Sequence, residues 1–190
     1  MNANDLVLLV LDAFGGEIRG KTLLQKRCYF VARLCDSQRA MGFEAHYYGP
    51  YSSEVDNATG QLRALGFIEE SKAAFGVMGD SGFEVSRYDF KLTDDGRAVA
   101  SVRKKKRPKT WPAIEAAVNR IKEAGDPSYV ELSIAAKAYY LLEKKGGPAS
   151  ADELVELAER FGWQIRREQV LSAWEFLKKL DLIQVVRGRS

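Results

Sequence analysis

The stretch GGEIRGKTLL, Gly15 to Leu24, decides between two folds for this chain. From Gly15 to Thr22 it satisfies G-x-x-x-x-G-K-[ST], a pattern in which backbone amides and a lysine hold phosphate groups. A phosphate-binding loop needs a parallel sheet of βαβ units and an acidic magnesium partner after a second strand. The rest of the chain offers few candidates for parallel strands, and Glu17 would place an anion where phosphate should lie. We therefore interpret Gly15-Gly16 as the end of one helix and Lys21-Thr22 as the start of the next.

The spacing of apolar residues predicts a mainly helical chain. Residues 5–14 are apolar and fit either a strand or a helix. A helix is predicted from Thr22 to about Ser37, and a serine-capped helix over about 53–65 ends at Gly66. Two strands, over 67–72 and 83–92, precede a helix capped by Thr93. The second half then predicts four helices, over about 112–124, 129–145, 151–161 and 167–180.

An internal echo indicates two related units. LRALGFIEE (62–70) aligns with LKKLDLIQV (177–185), and each is an amphipathic helix end followed by a turn and a β-rich run. Helices followed by strands in this order are typical of winged-helix units. The predicted fold class is mainly α with a small β-hairpin wing (α+β), arranged as tandem winged-helix-like units. The predicted domains are residues 1–107 and 113–190, joined near Pro108 and Pro112.

Composition excludes several classes of protein. The chain has 190 residues, and its apolar runs are far shorter than the roughly 20 residues that a membrane span needs. No basic stretch precedes an apolar run near the start, so we expect a cytoplasmic protein without a membrane anchor. Two cysteines and one histidine, His46, are too few for a standard zinc site. We expect neither a metal nor another cofactor.

A basic run, RKKKRPK (103–109), holds six basic residues, which account for the whole excess positive charge of residues 101–190, and it has two interpretations. It is either a cationic helix end or a clamp for the DNA backbone. The helix predicted near 167 starts with arginines, and Arg and Gln are side chains that contact base edges. The same arginines also suit a solvated surface. The candidate DNA-binding residues are Arg103, Lys104, Lys105, Lys106, Arg107, Arg166, Arg167, Gln169, Arg187 and Arg189.

Three tyrosines near the only histidine invite a catalytic interpretation, which the surrounding residues do not support. No acidic residue adjoins His46 to orient its ring, and no serine or cysteine nucleophile signature is present. Tyr47, Tyr48 and Tyr51 suit either structural roles or an aromatic protein-binding patch, because tyrosine is enriched at interfaces.

Two stretches, GKTLLQKRCYF (20–30) and HYYGPYSSEV (46–55), together resemble the Panacea, or SocA-like antitoxin, domain and the related YwgA-like proteins. Members share a G-K-T-x-L-Q-K-like helix start and a Y-G-P-Y-S turn that enters a helix. Arg27 departs from the usual apolar residue. ELSIAAKAYYLL (131–142) with FGW (161–163) resembles the tail of some YwgA-like members. YDFKLTDDG (88–96) is similar to the strand-to-helix junction of MarR- and PadR-type winged-helix regulators.

The resemblance implies a winged-helix scaffold that is not an enzyme and has no catalytic residues. It implies a regulatory or antitoxin-like module that binds a partner protein, either a toxin or a regulatory target. The alternative is a transcriptional regulator that binds double-stranded DNA through the C-terminal unit and the basic run at 103–109. A pseudo-palindromic operator would require a homodimer.

Overall fold

Eight α-helices and one small antiparallel sheet make up the described part of the chain, residues 1–75 and 85–183, in the computed structural model. The mainly helical α+β fold class is confirmed. The helices are α1 (Ala3–Ala13), α2 (Lys21–Leu34), α3 (Ser53–Ala64), α4 (Asp94–Lys106), α5 (Thr110–Glu123), α6 (Tyr129–Lys145), α7 (Ala151–Glu159) and α8 (Arg167–Lys179). The strands are β1 (Glu17–Arg19), β2 (Ile68–Phe75) and β3 (Val85–Leu92).

Polar side chains start the helices where the sequence predicts. The Ser52 hydroxyl accepts a hydrogen bond of 3.0 Å from the Val55 amide at the start of α3. The Thr93 hydroxyl accepts one of 2.9 Å from the Gly96 amide at the start of α4. Serine caps also begin α6 and α7, each with a glutamate that returns a hydrogen bond to the cap.

The segment that matches the phosphate-binding pattern contains a strand. β1 pairs antiparallel with β3, opposing Glu17 to Lys91, and Ile18 is buried. Gly16 and Gly20 flank the strand with positive φ angles of 87° and 106°, which favour glycine. The predicted end of one helix before Gly15-Gly16 and the start of the next at Lys21 are confirmed, and β1, which the sequence did not predict, lies between them. The glycines serve a turn into a sheet edge.

The sheet has the order β1-β3-β2, and all its neighbouring strands are antiparallel. Chain order in the first half is helix, strand, two helices and a hairpin, followed by α4. The hairpin tip, over 76–84, lies outside the described residues. So do residues 184–190, which include most of the β-rich run predicted at the end of the second unit.

The two halves of the chain share one buried core. Helix α2 packs against α6, and α1 packs against α5. The rings of Phe30 in α2 and Phe176 in α8 meet edge to face at 5.4 Å. Arg27 also reaches the second half, where its guanidinium lies 2.8 Å from the Asp126 carboxylate. The division into two domains stays a prediction. The contacts above form a continuous apolar junction between the two predicted domains.

Gly96 is the glycine whose replacement should most disturb this packing. A Cβ atom at this position would lie 2.1 Å from the Phe67 carbonyl oxygen, a backbone atom that cannot rotate away. We expect Gly96→Ala to lower the free energy of unfolding by about 2–3 kcal/mol. Gly60→Ala in α3 is the matched control, because a Cβ there meets nothing within 4 Å. It should raise stability by up to about 1 kcal/mol through helix propensity. Urea unfolding of both variants would decide, and equal effects would contradict this view of the packing.

Candidate protein-binding loop and its support

A pair of hydrogen bonds joins the start of α2 to the start of α3. The Gln25 side-chain amide donates to the Ser52 carbonyl at 3.0 Å, and the Ser52 backbone amide donates back to the Gln25 carbonyl oxygen at 3.0 Å. The Ser52 hydroxyl donates to the Met41 carbonyl while it caps α3. Gln25 and Ser52 are both buried, so these bonds satisfy groups that water does not reach.

Lys26 supports the turn just before Ser52. Its side chain is buried, and its ammonium group donates to the Pro50 carbonyl at 2.7 Å. Burial, together with the positive charge of Lys137, lowers the pKa of Lys26 to about 7. Gly49 has a φ of 96°, and a Cβ there would lie 3.0 Å from Cγ of Lys137. Only a glycine therefore fits easily between this turn and α6.

The same turn closes a loop over residues 44–51, which we call the aromatic loop. Glu44 and Tyr51 exchange two backbone hydrogen bonds of 2.9 Å at its ends. Within it, the His46 carbonyl accepts from the Gly49 amide at 2.9 Å. The same carbonyl accepts a bond of 2.7 Å from the indole N–H of Trp163, a buried residue between α7 and α8. The second half of the chain thus holds the loop of the first.

The tyrosines of the aromatic loop fall into two groups. Tyr47 and Tyr48 project outward with 72% and 55% of their surface exposed, and their rings meet edge to face at 4.8 Å. Tyr51 is only half-exposed. Burial and a hydrogen bond with Asp56 raise the pKa of the Tyr51 hydroxyl to about 12. The structure thus brings two of the three predicted binding tyrosines to the surface and gives the third a place in the support of the loop.

In the described part of the chain, no cluster of metal-binding side chains accompanies these tyrosines. Residues 1–75 and 85–183 contain no group of three His, Cys, Asp or Glu side chains placed to hold a metal ion. Burial raises the pKa of the Cys35 thiol to about 11 and also raises that of Cys28, so both thiols stay protonated at neutral pH. His46 lies with its ring 5.0 Å from that of Tyr51.

Three residues of the basic run bind the first helix. The Arg107 guanidinium lies 2.8 Å from the buried carboxylate of Asp5, and that of Arg103 lies 3.6 Å from it. Lys104 pairs with Asp12 and lies 4.0 Å above the centre of the Trp111 ring. These ion pairs attach the end of α4 to α1. Lys105 and Lys106 are exposed at the same helix end.

The candidate DNA-binding residues of the second unit also take part in local contacts. The Arg166 backbone amide donates to the Gln169 side-chain oxygen at 2.9 Å, which caps α8. The Arg167 guanidinium lies 3.2 Å from the Asp152 carboxylate. Arg166 and Arg167 are both exposed. Arg187 and Arg189 lie outside the described residues, so their placement stays a prediction.

Sequence reasoning missed the residues that fix the loop. Gln25, Lys26 and Ser52 appear in the family pattern, but nothing local in the sequence indicates that they bond to one another. The signal for Trp163 was equally indirect, because the FGW stretch is known only from its resemblance to YwgA-like tails.

Comparison with known proteins supports part of that resemblance. No family model matches the chain. The chain is similar to YwgA. It is 33% identical over 91 residues to the uncharacterized protein YwgA of Bacillus subtilis (strain 168), an alignment that covers 48% of this chain and 50% of YwgA. The chain thus spans about half the length of this curated relative. The likeness to YwgA is confirmed over that part, and the likeness to the Panacea domain stays a prediction.

Within residues 1–75 and 85–183, each helix is too short or too polar to span a membrane.

Lys26 should make the stability of the chain depend on pH. Its pKa falls from 10.5 to about 7 on folding, so between these values the unfolded chain binds a proton that the folded chain lacks. The free energy of unfolding should therefore rise with pH from about 7 towards 10.5, by at most about 1.4 kcal/mol per pH unit. Lys26→Met should remove most of this slope.

Urea unfolding at pH 7, 7.5 and 8 would measure the slope. These values stay below 9.0 and 10.0, the ordinary pKa values of cysteine and tyrosine, above which the raised pKa values of Cys28, Cys35 and Tyr51 make stability fall as pH rises. Lys105→Met is the control, because it removes a lysine that is exposed at the end of α4. A Lys26→Met variant with the slope of the unmodified chain would refute the assignment.

Proposed function

We propose that this chain is a non-enzymatic, antitoxin-like regulatory module that acts by binding a partner protein through the aromatic loop. One observation carries the proposal: Tyr47 and Tyr48 are largely exposed on a loop whose backbone is held at both ends and from beneath. Exposed tyrosines on a fixed backbone are typical of protein-binding surfaces, because they offer a large contact area at a low entropic cost.

The support beneath the loop favours binding over catalysis. Every motif residue described there is used to hold backbone: Gln25 holds Ser52, Lys26 holds Pro50, and Trp163 holds His46. A loop that is ordered before it meets its partner loses less conformational entropy on binding. The motif that carries the family resemblance therefore supplies rigidity to a surface, which is what a recognition module needs.

We further infer that the first half is a winged-helix unit. Its order of one helix, a strand, two helices and a hairpin, with sheet order β1-β3-β2, supports this assignment. In DNA-binding proteins of this kind the third helix, here α3, enters the major groove. The exposed side of α3 begins with Glu54, and Arg63 is paired with Glu70 at 2.5 Å. A helix with this charge suits a protein partner better than phosphate groups.

DNA binding is the alternative proposal, and it rests on fewer residues than the sequence suggests. Lys105 and Lys106 are exposed at the end of α4, and Arg166 is exposed at the start of α8. Their neighbours Arg103, Lys104 and Arg107 already pair with carboxylates of α1. Phosphate contacts by these three would have to replace ion pairs that the folded chain makes.

The double variant Tyr47→Ala/Tyr48→Ala should separate binding from folding. Both side chains are exposed, so we expect the melting temperature to change by less than about 2 °C. Capture of the partner from an extract of the source cells, with the chain as bait, should fall at least tenfold, because interface tyrosines often contribute 1–2 kcal/mol or more each. Quantitative mass spectrometry of the captured proteins provides the measurement.

The matched control removes exposed apolar surface elsewhere. Tyr88→Ala/Leu65→Ala deletes one tyrosine and one leucine that are 41% and 64% exposed. It should capture the same partner at the level of the unmodified chain. If the two double variants behave alike, the aromatic loop is not the binding surface.

Fluorescence anisotropy with mixed-sequence duplex DNA tests the alternative. At about 50 mM salt we expect no binding tighter than about 10 μM, because half of the six basic residues of the run already pair with carboxylates of α1. Micromolar or tighter binding that weakens steeply at 200 mM salt would favour the DNA regulator. In that case Lys105→Glu/Lys106→Glu should reduce the slope of log affinity against log salt concentration by the amount expected for about two phosphate contacts.

A further inference from the structure

A groove between α6 and α8 forms a second surface that the aromatic loop does not include. Its volume is about 500 Å³. Its floor is apolar and is lined by Val130, Ile134, Ala135, Ala173 and Phe176. Phe176 is also packed edge to face on Phe30 of α2, so the floor is anchored in the core.

The apolar lining of the groove is partly open to solvent, because Val130 has 45% of its surface exposed. Side chains of a partner can therefore reach it.

Carboxylates dominate the rim of the groove. Asp126, Glu131, Glu168 and Glu175 line it, against one lysine, Lys179. Hydrogen bonds with Ser128 hold the pKa of Glu131 below its usual range, so its charge is present at neutral pH. Asp126 and Glu175 have basic neighbours within the chain, whereas Glu168 is exposed in the first turn of α8 without an ion-pair partner among the described residues.

We infer that this groove docks an amphipathic helix of a partner protein whose apolar stripe is flanked by lysine or arginine. The apolar floor between two helices fits the side chains at positions i, i+3, i+4 and i+7 of such a helix. The acidic rim complements basic residues beside that stripe. The inference deepens the proposed function, on which it rests only in the claim that the chain binds a protein.

The same carboxylates argue against DNA as the occupant. Helix α8 starts with the arginines that the sequence suggests for base contacts, and Glu168 and Glu175 of this helix line the groove. Phosphate groups would be repelled there. Helix α6 lies between the groove and the aromatic loop, because Val130 and Ile134 line the groove while Ser133 and Lys137 contact Gly49.

The test uses two labelled model peptides with the same helical leucine stripe, one carrying lysine and the other glutamate at every remaining position. Fluorescence anisotropy should show that the lysine peptide binds the full chain with micromolar affinity. The glutamate peptide should bind at least about tenfold more weakly. Glu168→Lys/Glu175→Lys should reverse this preference, since both substitutions lie on the rim.

Matched variants make the result specific to the groove. Glu69→Lys/Glu115→Lys changes the net charge by the same amount at exposed positions outside the groove lining. It should leave the affinity for the lysine peptide within about threefold of the unmodified chain. If both charge reversals weaken binding equally, or if the lysine peptide does not bind, the inference is overturned.

Two further outcomes distinguish the claims. Tyr47→Ala/Tyr48→Ala should still bind the lysine peptide. If this variant loses partner capture but keeps peptide binding, the loss is due to the aromatic loop alone. Sedimentation velocity should show a monomer across concentrations. If the chain self-associates instead, Glu168→Lys/Glu175→Lys should abolish the association. Mixing this variant with Lys105→Glu/Lys106→Glu should then restore it. That result would assign the groove to a second copy of the chain and overturn the partner helix.

Discussion

The exchange of hydrogen bonds between Gln25 and the backbone of Ser52 is the contact on which most of the first half depends. Ser52 is buried, and its backbone amide would have no hydrogen-bond partner if the glutamine were absent, while its carbonyl would keep only the bond from the Asp56 amide. An unpaired buried polar group costs about 1–3 kcal/mol. By satisfying both groups, Gln25 fixes the start of α3 against α2, and the Ser52 hydroxyl then caps α3 and holds Met41.

This contact also explains why a motif rich in polar residues need not be a catalytic site. The two stretches that resemble the Panacea and YwgA-like pattern meet at Gln25, Lys26, Pro50 and Ser52. A buried lysine with a depressed pKa often marks a catalytic site. Here its partner is a backbone carbonyl of the aromatic loop, which also carries the exposed Tyr47 and Tyr48, and this agrees with the proposed recognition role.

Much of the helical framework was predictable because its signals are local. Caps at Thr93 and Ser52 and the apolar spacing of α2 lie within a few residues of the helices they define. Strand β1 was missed because three residues, with only Ile18 buried, are too few to show a period.

The support of the site was harder to foresee because its contacts join distant parts of the chain. Asp5 meets Arg107, and His46 meets Trp163, across separations of about a hundred residues. The sequence shows a basic run, whereas only the structure shows that half of its charges are used to hold α1. Charges that the sequence offers as surface contacts are therefore structural, and no local sequence pattern indicates this.

Because the aromatic loop needs the bond from Trp163 to His46, it is completed only late in the synthesis and folding of the chain. The loop is synthesised early, but its carbonyl finds the indole donor only after α7 and the segment beyond it have been made and packed. A chain that stops short, or whose second half is unfolded, presents the same tyrosines on a looser backbone. A partner that requires the fixed loop would therefore discriminate finished molecules from incomplete ones without contacting the second half at all.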